Sequence, residues 1–146
     1  MNARAYVEGR EVTMTDAKRT VIERYFGELW GQGRLDLVDE LLHPDYVNGS
    51  PSPGLPVGRE GLRIIVPAMR AAFPDLRYAI EELVIGDDAV ATRTTMSGTH
   101  RGDFFGLAAT GRVVKVAQMT IERFRDGKIV AHHRVTDEAA LARQLA

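Results

Sequence analysis

The spacing of apolar residues changes once along the chain, near Pro74, and this change constrains the fold more than any other sequence feature. Before it, Val21, Ile22, Tyr25, Phe26, Leu29 and Trp30 recur at three- and four-residue intervals, which makes one buried helical stripe. After it, Val, Ile, Thr and aromatic residues fill extended runs near 76–85, 89–100, 113–125 and 128–136. Helices followed by strands, rather than alternating with them, predict an α+β fold. With 146 residues there is room for one core. The expected organisation is a flexible arm over 1–14 and a single domain over 15–146.

Within the helical half, Thr15 or Asp16 is the expected cap of the first helix, and Gly31 and Gly33 end it. A second helix is predicted over 35–42, stopping before His43-Pro44 because the residue ahead of proline avoids the helical region. Residues 48–56 read as a loop. A third helix over 59–72 carries Leu62, Ile65, Val66, Met69 and Phe73, and Pro67 within it predicts a kink or an early start. The tail after Asp137 closes the chain with one or two helical turns capped by that aspartate. Three helices on a curved, mainly antiparallel sheet is the implied architecture.

The chemistry is bounded by what the composition lacks. Nineteen basic and twenty acidic residues leave a net charge of −1, without the excess positive charge that nucleic acid requires. The absence of cysteine removes disulfides, thiolate metal sites and a cysteine nucleophile. No secretory leader or apolar run of about 18 residues is seen, so the expectation is a soluble, cytoplasmic protein with no membrane partner. His43 and His100 lack a metal-binding spacing around them, and no metal is expected.

The Arg125-Asp126-Gly127 turn decides which residues face one another. A two-residue loop pairs Arg125 with Lys128. A three-residue loop with left-handed Gly127 pairs Phe124 with Lys128, Thr120 with His132 and Gln118 with Arg134. The second register is expected, because it gathers Val114, Val116, Gln118, Thr120 and Phe124 with Val130, His132 and Arg134 on one face, a mixed surface suited to a polar-tipped apolar pocket. The opposite face, with Met119, Ile121, Ala131, His133 and Val135, is too apolar for water and predicts a homodimer.

Four segments carry a resemblance. His43-Pro-Asp-Tyr-Val-Asn48 ahead of a Pro-rich loop, Phe73-Pro-Asp75, the Gly-rich stretch from Gly102 to Arg112, and Phe124-Arg-Asp-Gly-Lys-Ile-Val-Ala-His132 followed by Leu141-Ala-Arg-Gln-Leu145 resemble the SnoaL-like polyketide cyclases. The likeness runs from about Asp16 to the end. It implies a cone-shaped α+β barrel of the nuclear transport factor 2-like superfamily, with helices closing a bent sheet around a cavity, commonly as a homodimer. It also implies a cofactor-free intramolecular aldol closure of an aromatic ester, with an acidic residue as acid/base and His, Asn and Gln orienting the enolate. Asn48, Gln118 and His132 match that pattern. The family's second pocket histidine falls on Thr120 and its catalytic aspartate on Arg134. Arginine stays protonated and is no general base.

The expected function is therefore a SnoaL-like protein that binds a small apolar or aromatic carbonyl compound and acts without a cofactor, diverged from aldol cyclisation. His132 is the acid/base candidate, since imidazole titrates near neutrality. Glu122, on the same face by alternation, is the substitute carboxylate, and Glu82 is a weaker one. Asn48, Gln118, Thr120 and Arg134 are the ligand contacts. Arg134 either meets an anionic group of the ligand, stabilises an enolate, or forms an internal ion pair with Glu122 or Glu82. The Gly102 to Gly111 loop reads as a pocket lid or dimer contact, with Asp103 as a turn residue. The rival readings are a non-catalytic ligand-binding dimer, and a cyclase, isomerase or hydrolase with a relocated carboxylate.

Overall fold

Thr13, rather than Thr15 or Asp16, starts the helical half. Its hydroxyl accepts the Asp16 N–H at 3.0 Å while the Asp16 carboxylate reaches back to the Thr13 N–H, a reciprocal capping box. This is a computed structural model, and it describes residues 4–7 and 10–146, with side chains from Thr13 onward. The expected arm over 1–14 falls partly outside the described residues, at 1–3 and 8–9. Between them β1 (Arg4–Val7) pairs antiparallel with β2 (Arg10–Thr13).

Helix α1 (Met14–Arg24) continues as a wider π-helical turn, Tyr25–Trp30, which buries Tyr25, Phe26, Leu29 and Trp30. Arg70 holds the end of that turn in place, donating to the carbonyls of Trp30 and Gly31 at 3.1 and 2.8 Å, carbonyls a helix end leaves without partners. Helix α2 (Leu37–Leu41) is shorter than expected, because Leu42 already begins a strand, β3 (Leu42–Asn48). Periodicity missed β3 because its burial does not alternate and Pro44 sits inside it, tolerable only on an edge strand. Helix α3 (Arg59–Ala72) neither starts early nor stops at Pro67 but runs through it.

The strands β4 (Arg77–Ile85), β5 (Ala89–Thr99), β6 (Val113–Arg125) and β7 (Lys128–Thr136) lie where the sequence places them, and α4 (Glu138–Leu145) is capped by Asp137, whose carboxylate accepts the Ala140 N–H at 3.0 Å. The sheet order is β3-β7-β6-β5-β4, antiparallel except for β3 beside β7. Four helices pack on this open sheet in a cone-shaped α+β arrangement, with the core between them. Among the described residues no helix is long and apolar enough to cross a membrane.

The register of the last hairpin corrects the expected one. Arg125 pairs with Lys128 across a two-residue turn, because Asp126 takes positive φ (53°) as well as Gly127 (75°), the backbone of a mirror-image tight turn that Asp-Gly favours. Continued without interruption, that register would put His132 opposite Ile121, on the outer face. A one-residue bulge at Val130 intervenes: Phe124 pairs with Ile129 and Arg123 with Ala131. The result sets Glu122 opposite His132, Thr120 opposite Arg134 and Gln118 opposite Thr136. The partition of faces therefore survives although every individual pairing differs, and Ile129 rather than Val130 takes the buried place.

Candidate functional site

Alternation carries a row of polar side chains onto the buried face of the sheet. From β6 come Gln118, Thr120 and Glu122, and from β5 their cross-strand partners Thr94, Thr92 and Val90. All six are almost wholly buried. The β7 contributions are His132, which is 4% exposed, and half-buried Arg134. Three threonine hydroxyls in this row, those of Thr92, Thr94 and Thr120, have no hydrogen-bond partner. Buried polar groups are ordinarily paired, so an unpaired row marks a surface kept for something other than stability.

Above this face opens a cleft of about 750 Å³. Trp30, Ile65 and Met69 line it from the helices, Tyr78, Met96, Gln118, Arg134 and Thr136 from the sheet, and Leu141 and Leu145 from α4. A narrow side space of about 20 Å³, the branch, adjoins it and is lined among others by Tyr25, Tyr46, Asn48, Leu62 and His132. Trp30, Ile65 and Arg134 border both spaces, so Arg134 stands at the branch point. The apolar stripe of α3 thus does two jobs: Val66 and Phe73 are core, while Ile65 and Met69 face the cleft.

The loop after β5 reaches over the same cleft with Phe104, Phe105 and Leu107. Its ends are fixed. The N–H groups of Arg101 and Gly102 donate to the Ala72 carbonyl, and a side chain on Gly102 would collide with the Ala71 carbonyl. Fully buried His100 accepts the Thr110 N–H on Nδ1 at 3.2 Å, so this histidine holds a loop. Asp103 accepts the Gly106 N–H at 3.1 Å and is a turn residue, as its setting suggested.

At the inner end of the branch, His132 Nδ1 lies 3.2 Å from Glu122 Oε2. Glu122 is wholly buried, and the contact is within ion-pair reach without hydrogen-bond alignment, so both carboxylate oxygens and Nδ1 remain without partners. The surrounding phenols stay protonated. Burial pushes Tyr25 well above the usual tyrosine range, burial and the Glu122 charge do the same to Tyr46, and burial pushes Tyr78 up to about 12. Asn48 pairs with His132 across the parallel β3–β7 ladder, and its Oδ1 accepts the Ser50 N–H at 2.8 Å.

The sequence candidates separate accordingly. Asn48, His132 and Arg134 meet at the branch, Gln118 and Arg134 in the wide cleft, and Glu122 stands behind His132. Thr120 is buried beneath, beside Arg134 in register. The internal ion pair considered for Arg134 does not form: Glu122 is engaged with His132, and Glu82 is an exposed residue 4.0 Å from Arg93. Among the described residues no carboxylate lies within 4.0 Å of the Arg134 guanidinium, and no three His, Asp or Glu side chains converge as a metal site. Sequence reasoning missed Tyr25 and Tyr46. Tyr25 looked like one more member of a helical stripe, and Tyr46 lay inside the undetected strand β3.

Comparison with known proteins fits this geometry. Residues 20–145 match SnoaL-like polyketide cyclases. Nogalonic acid methyl ester cyclase of Streptomyces nogalater is 33% identical over 116 residues, covering 77% of this chain and 86% of that protein. Aklanonic acid methyl ester cyclase AcmA of Streptomyces galilaeus is 31% identical over 121 residues, covering 81% and 83%. Among solved structures, TsrD from Streptomyces laurentii superposes with a TM-score of 0.82 at 28% identity, covering 90% of this chain and 96% of that one.

Proposed function

We propose that this chain, which belongs to the SnoaL-like polyketide cyclase family, binds a small aromatic carbonyl compound in its cleft and catalyses proton transfer next to the carbonyl without a cofactor. The observation that carries this reading is wholly buried Glu122 held 3.2 Å from His132, which lines the narrow space walled off from the cleft by Trp30, Ile65 and Arg134. A carboxylate taken out of water without aligned hydrogen bonds is costly, and such arrangements cluster at functional sites. With arginine at the position where the family pattern has its acid, Glu122 is the carboxylate that remains beside the imidazole.

The roles follow from the positions. Nδ1 of His132 is turned to Glu122, leaving Nε2 as the nitrogen for substrate. Nε2 takes a proton from the carbon next to the carbonyl, which generates an enolate and an imidazolium, and Glu122 stabilises that imidazolium. The amides of Asn48 and Gln118 orient the carbonyl. The proton returns from Nε2 to the enolate or to a new alkoxide, so nothing is consumed. The outer face, where Met119, Ile121 and Val135 are 61%, 44% and 75% exposed, is the proposed homodimer surface.

The test is exchange of the methyl-ketone protons of 2-acetylnaphthalene in D2O, followed by NMR. Acceleration by the protein, lost in both Glu122→Gln and His132→Gln while the compound still binds, is the expected result. Binding with exchange no faster than in buffer would leave a binding protein in place of an enzyme.

A further inference from the structure

We infer that the branch point of the cleft is a carboxylate-binding subsite built by Arg134 and the Tyr46 hydroxyl, and that the natural ligand is an ionised aromatic carboxylic acid rather than a neutral ester. This rests on the reading of the cleft as the site of an aromatic carbonyl compound, and it adds the charge that compound carries.

Arg134 is half-buried at the junction of both spaces, so its guanidinium is partly removed from water. Among the described residues its side chain makes one hydrogen bond, Nη2 to the Ser50 carbonyl at 3.5 Å, and the Ser50 hydroxyl accepts its peptide N–H at 2.9 Å. The nearby carboxylates are otherwise placed. Glu122 faces His132, and Glu138 lies exposed on the cleft rim beyond ion-pair distance. Five N–H donors with so little to meet are suited to a planar acceptor, and a carboxylate fits the guanidinium fork with two parallel bonds.

Tyr46 is the second, independent observation. It lines the branch, is 3% exposed, and its hydroxyl has no partner. Burial keeps that phenol protonated, so it stands ready as a neutral donor. The branch admits about one carboxylate oxygen and no ring, whereas the wide cleft is mostly apolar and large enough for fused rings. An ester would leave the guanidinium facing an uncharged group; an acid neutralises it.

Trp30 is the only tryptophan and borders both spaces, so its emission reports occupancy. The probes are anthraquinone-2-carboxylate, its methyl ester and anthraquinone itself, titrated by Trp30 quenching and calorimetry. The acid is expected to bind on the order of 10- to 100-fold more tightly than the ester. Arg134→Gln should reduce the acid to the ester's affinity without changing the ester, Arg134→Lys should keep part of the preference, and Tyr46→Phe should lower it part-way at unchanged thermal stability. Equal binding of acid and ester, or equal weakening of both by Arg134→Gln, overturns the carboxylate subsite while the cleft stands. If none of the three compounds quenches Trp30, the cleft reading falls and the subsite with it.

Discussion

Between Gln118 and Glu122 the two faces of β6 invert the usual rule for a sheet, which the strand otherwise follows, with Val114 and Val116 buried and Lys115, Arg123 and Arg125 exposed. There the buried side carries Gln118, Thr120 and Glu122, whereas the exposed side carries Met119 and Ile121, at 61% and 44% exposure. A strand selected only for stability would carry these sets the other way round, since apolar burial drives folding and unpaired buried polar groups oppose it. The proposed ligand would account for the inner anomaly and the proposed homodimer for the outer one. The two faces also differ in how they should respond to mutation.

The largest effect is expected inside. Glu122→Gln removes the charge and keeps the shape, so exchange at the substrate carbon should fall on the order of 10²- to 10⁴-fold. Stability should change by no more than about 1 kcal/mol, because a buried carboxylate without aligned hydrogen bonds is no asset to the fold. NMR exchange and thermal melting of the same sample check both halves. A large loss of melting temperature would move Glu122 from chemistry to structure.

A second change asks whether the inner face can take on the acid and second histidine that the family resemblance implies. The unmodified chain should give no detectable closure of nogalonic acid methyl ester, whereas Arg134→Asp combined with Thr120→His should raise closure at least about tenfold above either single change, since residues acting as a unit are non-additive. Chromatography of the products measures it, after circular dichroism has confirmed folding. Efficient closure by the unmodified chain would show that Arg134 is no obstacle.

On the outer face the expected change is about twofold, in mass. Ile121→Lys with Met119→Lys should convert a dimer into a monomer by light scattering while quenching of Trp30 by anthraquinone is retained. A monomeric parent protein would remove the outer half of the comparison.

The smallest effect concerns pH. Tyr25, Tyr46 and Tyr78 bind their protons more tightly folded than unfolded, so their contribution to stability is complete below the unfolded value of about 10 and is lost as pH rises toward the about 12 of Tyr78. Melting temperature should decline by several degrees over that interval. Phenolate absorbance should rise with unfolding rather than ahead of it, and a free titration of all four tyrosines near pH 10 would contradict the burial of the inner face.

Much of this was legible in the amino-acid order. The strands of the second half, the cap at Asp137 and the separation of Gln118 and Thr120 from Met119 and Ile121 follow from alternation, whereas His132 reaches the expected face by a turn and a bulge absent from the expected register. Strand β3 was not legible, because parallel edge pairing with β7 leaves no two-residue rhythm in Leu42–Asn48, and with it went Tyr46. The His132–Glu122 pairing was hidden for a different reason. It depends on two local deviations, a tight turn and a bulge, whose effects on face cancel while their effects on register add. Local pattern reads the first quantity and not the second.

The bulge at Val130 makes β7 behave like a message with a reading frame. Loss of Val130 alone would remove the bulge and leave Glu122 opposite His132 with every later face unchanged, whereas loss of two residues between Ile129 and His132 would shift every later side chain to the opposite face, bringing His133 and Val135 inside and sending His132 and Arg134 out. Length variation in this hairpin is therefore constrained by parity before it is constrained by chemistry. Descendants of this chain should tolerate loss of the one bulged residue, and a chain that lost two would have to find a new compensating bulge or give up its inner histidine.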